Sequence, residues 1–134
     1  MHVDQLCYTI TMTKIAIIED DAVINQMYRM KLETAGFDVE VANNGKAGVT
    51  LVESFLPDII LLDLQMPEMN GDEALQHIRS KDWGKNIPVI ILTNLGVEES
   101  PKSLKDLNVH EYIVKAELTP SQVVAKVKEV LHLD

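Results

Sequence analysis

Pro57-Asp58-Ile59-Ile60-Leu61-Leu62-Asp63, continuing into Leu64-Gln65-Met66-Pro67-Glu68-Met69-Asn70-Gly71, is the stretch whose reading decides the fold. Four consecutive branched aliphatics between turn-forming residues describe a strand buried on both faces, as in a parallel sheet. Asp63 then stands at the carboxyl end of that strand, the edge of an open α/β sheet where ligands bind. An Asp at a strand end also begins turns, and alone it supports either reading. The other strand ends decide between them.

Working outward, strands and helices alternate. Lys14 to Ile18 is a short apolar strand running into Glu19-Asp20-Asp21. Asp21 can cap a helix from Ala22 to about Ala35, with Val23, Met27 and Met30 along one face and Gly36 as its stop. Phe37 to Ala42 alternates like a half-buried strand. Gly48, Leu51, Val52 and Phe55 then form the apolar stripe of a helix halted before Pro57. After the Asp58–Leu62 strand, a helix from about Gly71 to Lys81 buries Ala74, Leu75 and Ile78. Ile87 to Leu92 is a fourth strand. Pro101 suits a first helical turn, so a fourth helix is expected from near Ser100 to near Leu107. Tyr112-Ile113-Val114 is strand five, and Thr119-Pro120 opens a last helix with Val123, Val127 and Val130 buried. The pattern is (βα)5, an α/β fold with a doubly wound parallel sheet.

Composition limits the function classes. A single unit of 134 residues is long enough for a real core. A net charge of −9 opposes a nucleic-acid surface, which needs clustered Lys and Arg. No apolar run reaches the length of a membrane span, and the start lacks a secretory pattern. One cysteine permits no internal disulfide, which suits a reducing cytoplasm. The four histidines lack ligand spacing, and the six methionines read as core filler.

The strand ends carry the chemistry. Strand one delivers Glu19 and Asp20, strand three Asp63, strand four Thr93 and strand five Lys115. A parallel sheet brings all of these to one edge. Converging carboxylates raise one another's pKa unless a cation joins them. Oxygen ligands without His or Cys favour a hard ion such as partly hydrated Mg²⁺. Lys115 and Thr93 supply a charge partner and a hydroxyl for a transferred phosphoryl group. Asp63 is the carboxylate placed to attack phosphorus. Each feature alone has an ordinary explanation: an acidic helix start, a strand-end hydroxyl, a solvated lysine. Their order along the chain favours the joint reading.

These residues resemble the response-regulator receiver domains of two-component signalling. The resemblance rests on Ile17-Ile18-Glu19-Asp20-Asp21, on Asp58 through Gly71, on Val89-Ile90-Ile91-Leu92-Thr93 and on Tyr112-Ile113-Val114-Lys115. It covers residues 13–134, leaving 1–12 as an N-terminal extension. It implies a flavodoxin-like sheet of order 2-1-3-4-5. It also implies that Asp63 is phosphorylated by a sensor histidine kinase or phosphotransfer protein. Mg²⁺ would be held by Asp20 and Asp63, with Glu19 assisting and the backbone carbonyl of Gln65 as a further ligand. Lys115 would pair with a phosphoryl oxygen. Thr93 and Tyr112 would switch together, remodelling the surface of helix four, strand five and helix five for a downstream protein target. Such a protein is not an enzyme beyond its own phosphorylation and dephosphorylation. The expectation is a cytoplasmic, stand-alone regulator, monomeric or weakly dimeric on phosphorylation, with no nucleic-acid or membrane partner.

The sequence departs from the family pattern in places. Ala116 replaces the usual proline, whose cis peptide aims the lysine. A cis bond here would cost about 2.5–4 kcal/mol, so the loop either holds that strain or differs. Asn94 is larger than the small residue often found after the threonine. Gln65 and Leu95 occupy positions that tune phosphoryl lifetime in the family. Two rival classes fit less well. A haloacid-dehalogenase phosphatase needs a second Asp two residues beyond the nucleophile, where Gln65 stands. A flavin or nucleotide binder needs a phosphate cradle after strand one, where Glu19-Asp20-Asp21 would repel phosphate.

Overall fold

The computed structural model describes residues 12–133. The expected N-terminal extension therefore falls almost wholly outside the described residues. Five parallel strands form one sheet in the order β2-β1-β3-β4-β5. They are β1 (Lys14–Ile18), β2 (Asp38–Ala42), β3 (Ile59–Leu62), β4 (Val89–Thr93) and β5 (Glu111–Val114). Four α-helices cover the faces: α1 (Ala22–Thr34), α2 (Gly45–Phe55), α3 (Gly71–Arg79) and α4 (Pro120–Val130). This is the flavodoxin-like topology expected from the sequence.

Strand alternation divides the core in two. Ile15, Ile17, Ile59, Leu61, Ile90 and Leu92 face one way and meet Leu32, Val123 and Val127. Ala16, Ile18, Ile60, Leu62, Val89 and Ile91 face the other way and meet Val52, Leu75 and Ile78. An unbroken aliphatic strand such as Ile59–Leu62 is thereby buried on both sides. Local capping fixes the helix starts. Asp21 accepts from the Val23 and Ile24 N–H groups, Asn44 from Ala47, and Thr119 from Gln122 ahead of Pro120 at the first helical turn.

The structure corrects three expectations. The Val23–Met27–Met30 face of α1 points to solvent, with exposures of 78%, 39% and 63%. The helix instead buries Asn25, Tyr28 and Leu32. Both triplets satisfy helical spacing, and apolarity alone selects the wrong one. For the same reason methionine is not general core filler here: Met12, Met27 and Met30 are exposed, whereas Met66 is buried. The fourth α-helix is absent. Its expected span, near Ser100 to near Leu107, holds a 3₁₀ turn at Lys102–Asp106, and a second such turn at Val97–Glu99 precedes it across extended backbone at Ser100 and Pro101. Pro101 is itself extended, with ψ 135°, so it lies outside the turn it was expected to open, and the five residues after it close 3₁₀ turns without becoming an α-helix.

Arg79 holds this connection in place. Its guanidinium donates to the carbonyls of Leu107, Gly84, Ile87 and Asn108 at 2.8, 2.8, 2.9 and 3.1 Å. The end of α3 is thus tied to the backbone entering β4 and to the turn before β5.

Candidate functional site

Strand register sets the site. Ile18 lies level with both Ala42 and Leu62, and Thr93 lies level with Val114. The pairing continues one residue past two strands, with Glu19 N–H donating to Ala42 and Asp63 N–H to Ile18, both at 3.0 Å. Glu19 and Asp63 therefore leave the sheet side by side. Gly71 closes the loop behind them, its N–H bonding the Leu64 carbonyl at 3.0 Å. A Cβ on Gly71 would sit 2.1 Å from the Asp63 carbonyl oxygen, so only glycine admits this approach.

Glu19, Asp20 and Asp63 each offer a carboxylate oxygen within 4.8 Å of the others. Glu19 and Asp63 are buried, at 4% and 6% exposure, and Asp20 is open to solvent. The two buried carboxylates are held alike. One oxygen of each accepts from a backbone N–H two residues on, Asp21 to Glu19 at 3.1 Å and Gln65 to Asp63 at 3.2 Å. The other oxygen of each accepts from Lys115 Nζ, which bonds Glu19 Oε1 and reaches Asp63 Oδ2 at 3.1 Å.

Burial pushes the Glu19 carboxyl up to about 7, against the pull of the Lys115 ammonium and the Asp21 N–H, with the Asp63 charge adding to the rise. Burial opposes the Lys115 ammonium too, yet its bonds and charges from Glu19 and Asp63 hold its pKa above the ordinary lysine value. One ammonium thus serves two carboxylates and leaves the acidic cluster under-neutralised. An oxygen-only donor set in that condition fits a hard divalent cation such as Mg²⁺.

Lys115 arrives by a different loop from the one expected with proline. All peptide bonds among the described residues are trans, and Lys115–Glu117 forms a 3₁₀ turn directly after β5. Thr93 is fully buried, its hydroxyl accepting from the Leu95 N–H at 3.4 Å. The half-buried Tyr112 hydroxyl donates to the Leu95 carbonyl at 3.0 Å and approaches that of Gly96 at 3.4 Å. Thr93 and Tyr112 therefore grip the two ends of the same residue.

Two side chains near the site escaped the sequence reading. Asn25 Nδ2 donates to the Glu19 carbonyl at 2.5 Å and so anchors the acidic turn to α1. Tyr28 lines a small void together with Glu19 and Asp63. Both lie on the same face of α1 as the buried Leu32, a stripe whose spacing is no more helical than the apolar Val23–Met27–Met30 one, so spacing alone did not single them out.

These features define an acidic, oxygen-donor site at the carboxyl edge of a doubly wound α/β domain. Residues 15–128 match the response regulator receiver domain, and the chain belongs to that family. It is 36% identical over 119 residues to the transcriptional regulatory protein ResD of Bacillus subtilis, covering 89% of this chain and 48% of ResD. It is 33% identical over 120 residues to the transcriptional regulator RpaA of Synechocystis, covering 90% of this chain and 49% of RpaA. The chain thus spans about half the length of these curated relatives. Among solved structures it is similar to the chemotaxis response regulator CheY4 of Vibrio cholerae. There the TM-score is 0.81 at 28% identity, covering 90% of this chain and 99% of that one. The phosphorylated cyanobacterial phytochrome response regulator RcpA gives a TM-score of 0.74 at 29% identity, covering 90% and 91%.

Proposed function

We propose that this receiver domain takes a phosphoryl group onto Asp63 from a phosphohistidine of a sensor histidine kinase or phosphotransfer protein. A carboxylate oxygen of Asp63 attacks phosphorus, the P–N bond to the donor imidazole breaks, and an acyl phosphate results. Glu19, Asp20, Asp63 and the Gln65 carbonyl would hold Mg²⁺, which neutralises charge on the phosphoryl oxygens. Lys115 moves its bond from Asp63 Oδ2 to a phosphoryl oxygen. The Thr93 hydroxyl turns to donate to another, releasing the Leu95 N–H. Because Tyr112 holds the Leu95 carbonyl, the change passes to the 97–106 turns, β5 and α4, shifting the population between two packings of that surface.

The observation that carries this reading is the three carboxylates within 4.8 Å of one another, with Lys115 bonded to two of them. The protein catalyses only its own phosphorylation and dephosphorylation, and its output is contact with another protein. The net charge of −9 favours a protein target over direct contact with nucleic acid. Among the described residues no helix is long and apolar enough to cross a membrane, and the reading places the protein with its kinase in the cytoplasm, acting alone or as a weak phosphorylation-dependent dimer. Acetyl phosphate with Mg²⁺ should add one hydroxylamine-sensitive phosphoryl group per chain. Asp63→Asn should accept none, and labelling that survives this change refutes the assignment.

A further inference from the structure

Asn25 is a costly residue for the position it holds. It lies inside α1, where asparagine supports a helix less well than leucine does. It is only 6% exposed and shares a face with Tyr28 and Leu32. Its Nδ2 donates to the Glu19 carbonyl at 2.5 Å. Only the amide nitrogen can face a carbonyl, so Oδ1 is the atom left over, and it is buried without a donor among the described residues. A buried acceptor without a partner lowers stability. Packing and propensity both favour an aliphatic side chain here; the bond to Glu19 is what favours asparagine.

That bond falls at a particular place. The Glu19 carbonyl belongs to the planar peptide that carries Asp20. Asn25 also donates its backbone N–H to the Asp21 carbonyl at 2.9 Å. One residue of α1 thus holds the carbonyls on both sides of Asp20. The other two carboxylates of the cluster are fixed through their own oxygens, by Lys115 and by the Asp21 and Gln65 N–H groups. Asp20 is exposed, and the bonds of its turn end on Glu19, Asp21 and Asn25; none among the described residues reaches its carboxylate. Its placement therefore depends on the backbone that carries it.

We propose that Asn25 is a positioning residue for the cation site. By holding the peptide ahead of Asp20, it keeps the exposed carboxylate beside those of Glu19 and Asp63 before a cation arrives. Less ordering is then left for binding itself. The bond to Glu19 stands on the geometry, whereas its bearing on Mg²⁺ rests on the proposed function.

The test compares wild type with Asn25→Leu, which keeps the branch at Cγ and removes both the donor and the unpartnered oxygen. Leu32→Val, on the same buried face, loosens the packing of α1 without touching the acidic turn. Amide exchange is followed by NMR in EDTA at the Asp21 N–H, which bonds Glu19 Oε2 within the turn. Mg²⁺ affinity is measured by calorimetry. Asn25→Leu should speed Asp21 exchange relative to the amides of β3. It should also weaken Mg²⁺ by about tenfold or more, the scale for losing an outer partner of a metal ligand. Labelling by acetyl phosphate should slow at low Mg²⁺ and recover at saturating Mg²⁺, because no group touching the phosphoryl site has changed. Asn25→Ala, which cannot overfill the site, should show the same losses. Leu32→Val should be less stable in urea yet bind Mg²⁺ within about twofold of wild type. Unchanged Mg²⁺ affinity in both Asn25 variants overturns the proposal, and so does an equal loss in Leu32→Val. If wild type binds no Mg²⁺, the functional reading fails, and Asp21 exchange still decides whether Asn25 holds the turn.

Discussion

Stability without metal should fall as pH rises from about 4.5 to 8, with Glu19 responsible. Its carboxyl is raised from 4.5 to about 7, chiefly by burial, and the side chain is 4% exposed. The folded state then holds a proton that the unfolded state has released. The stabilisation is complete below about pH 4.5 and is lost as pH climbs through 7. A rise of that size corresponds to about 3 kcal/mol. Lys115 does not interfere, because its raised pKa acts only above the ordinary lysine value of 10.5. Urea unfolding in EDTA at intervals from pH 4.5 to 8 should therefore separate wild type from Glu19→Gln, which carries no charge anywhere in the window. The stability of wild type relative to that variant should drop by about 3 kcal/mol across the range. The same proton must leave before a cation binds, so wild-type Mg²⁺ affinity should weaken by roughly tenfold for each pH unit below 7. Parallel stability curves for the two proteins would refute the argument that burial outweighs the Lys115 bond at Glu19.

Two further outcomes test how the fold serves the site. Gly71→Ala should cost several kcal/mol in chemical denaturation, because its Cβ would meet the Asp63 carbonyl at 2.1 Å and one backbone must move. The same change should abolish labelling of Asp63 even where the protein stays folded. Arg79→Met should lose about 3 kcal/mol or more by leaving four carbonyls without their donor, and Arg79→Lys should recover only part. Equal stability of the methionine variant in urea would show that water replaces those bonds without cost.

What the sequence determined by itself was local. The aliphatic runs set the strands, Asp21 and Thr119-Pro120 set helix starts, and alternation of the two implied a parallel sheet whose carboxyl edge collects Glu19, Asp20, Asp63, Thr93 and Lys115. Each of those residues stands at or just past a strand end, which is why the candidate site was legible without coordinates. Only the tertiary structure decided which stripe of α1 meets the sheet. The Val23–Met27–Met30 and Asn25–Tyr28–Leu32 stripes share the same period, and the choice depends on how the capped helix lies on its strands. The fourth helix expected from near Ser100 is instead a 3₁₀ turn at Lys102–Asp106 behind an extended Pro101, and Arg79, from outside that span, secures the turn at Leu107 and Asn108. The partners of Lys115 lie 96 and 52 residues away, and no local pattern encodes how one ammonium is shared between two buried carboxylates. Spacing along a chain reports the period of a helix or strand; which side is buried, and which charges meet, depends on contacts that exist only once the sheet has closed.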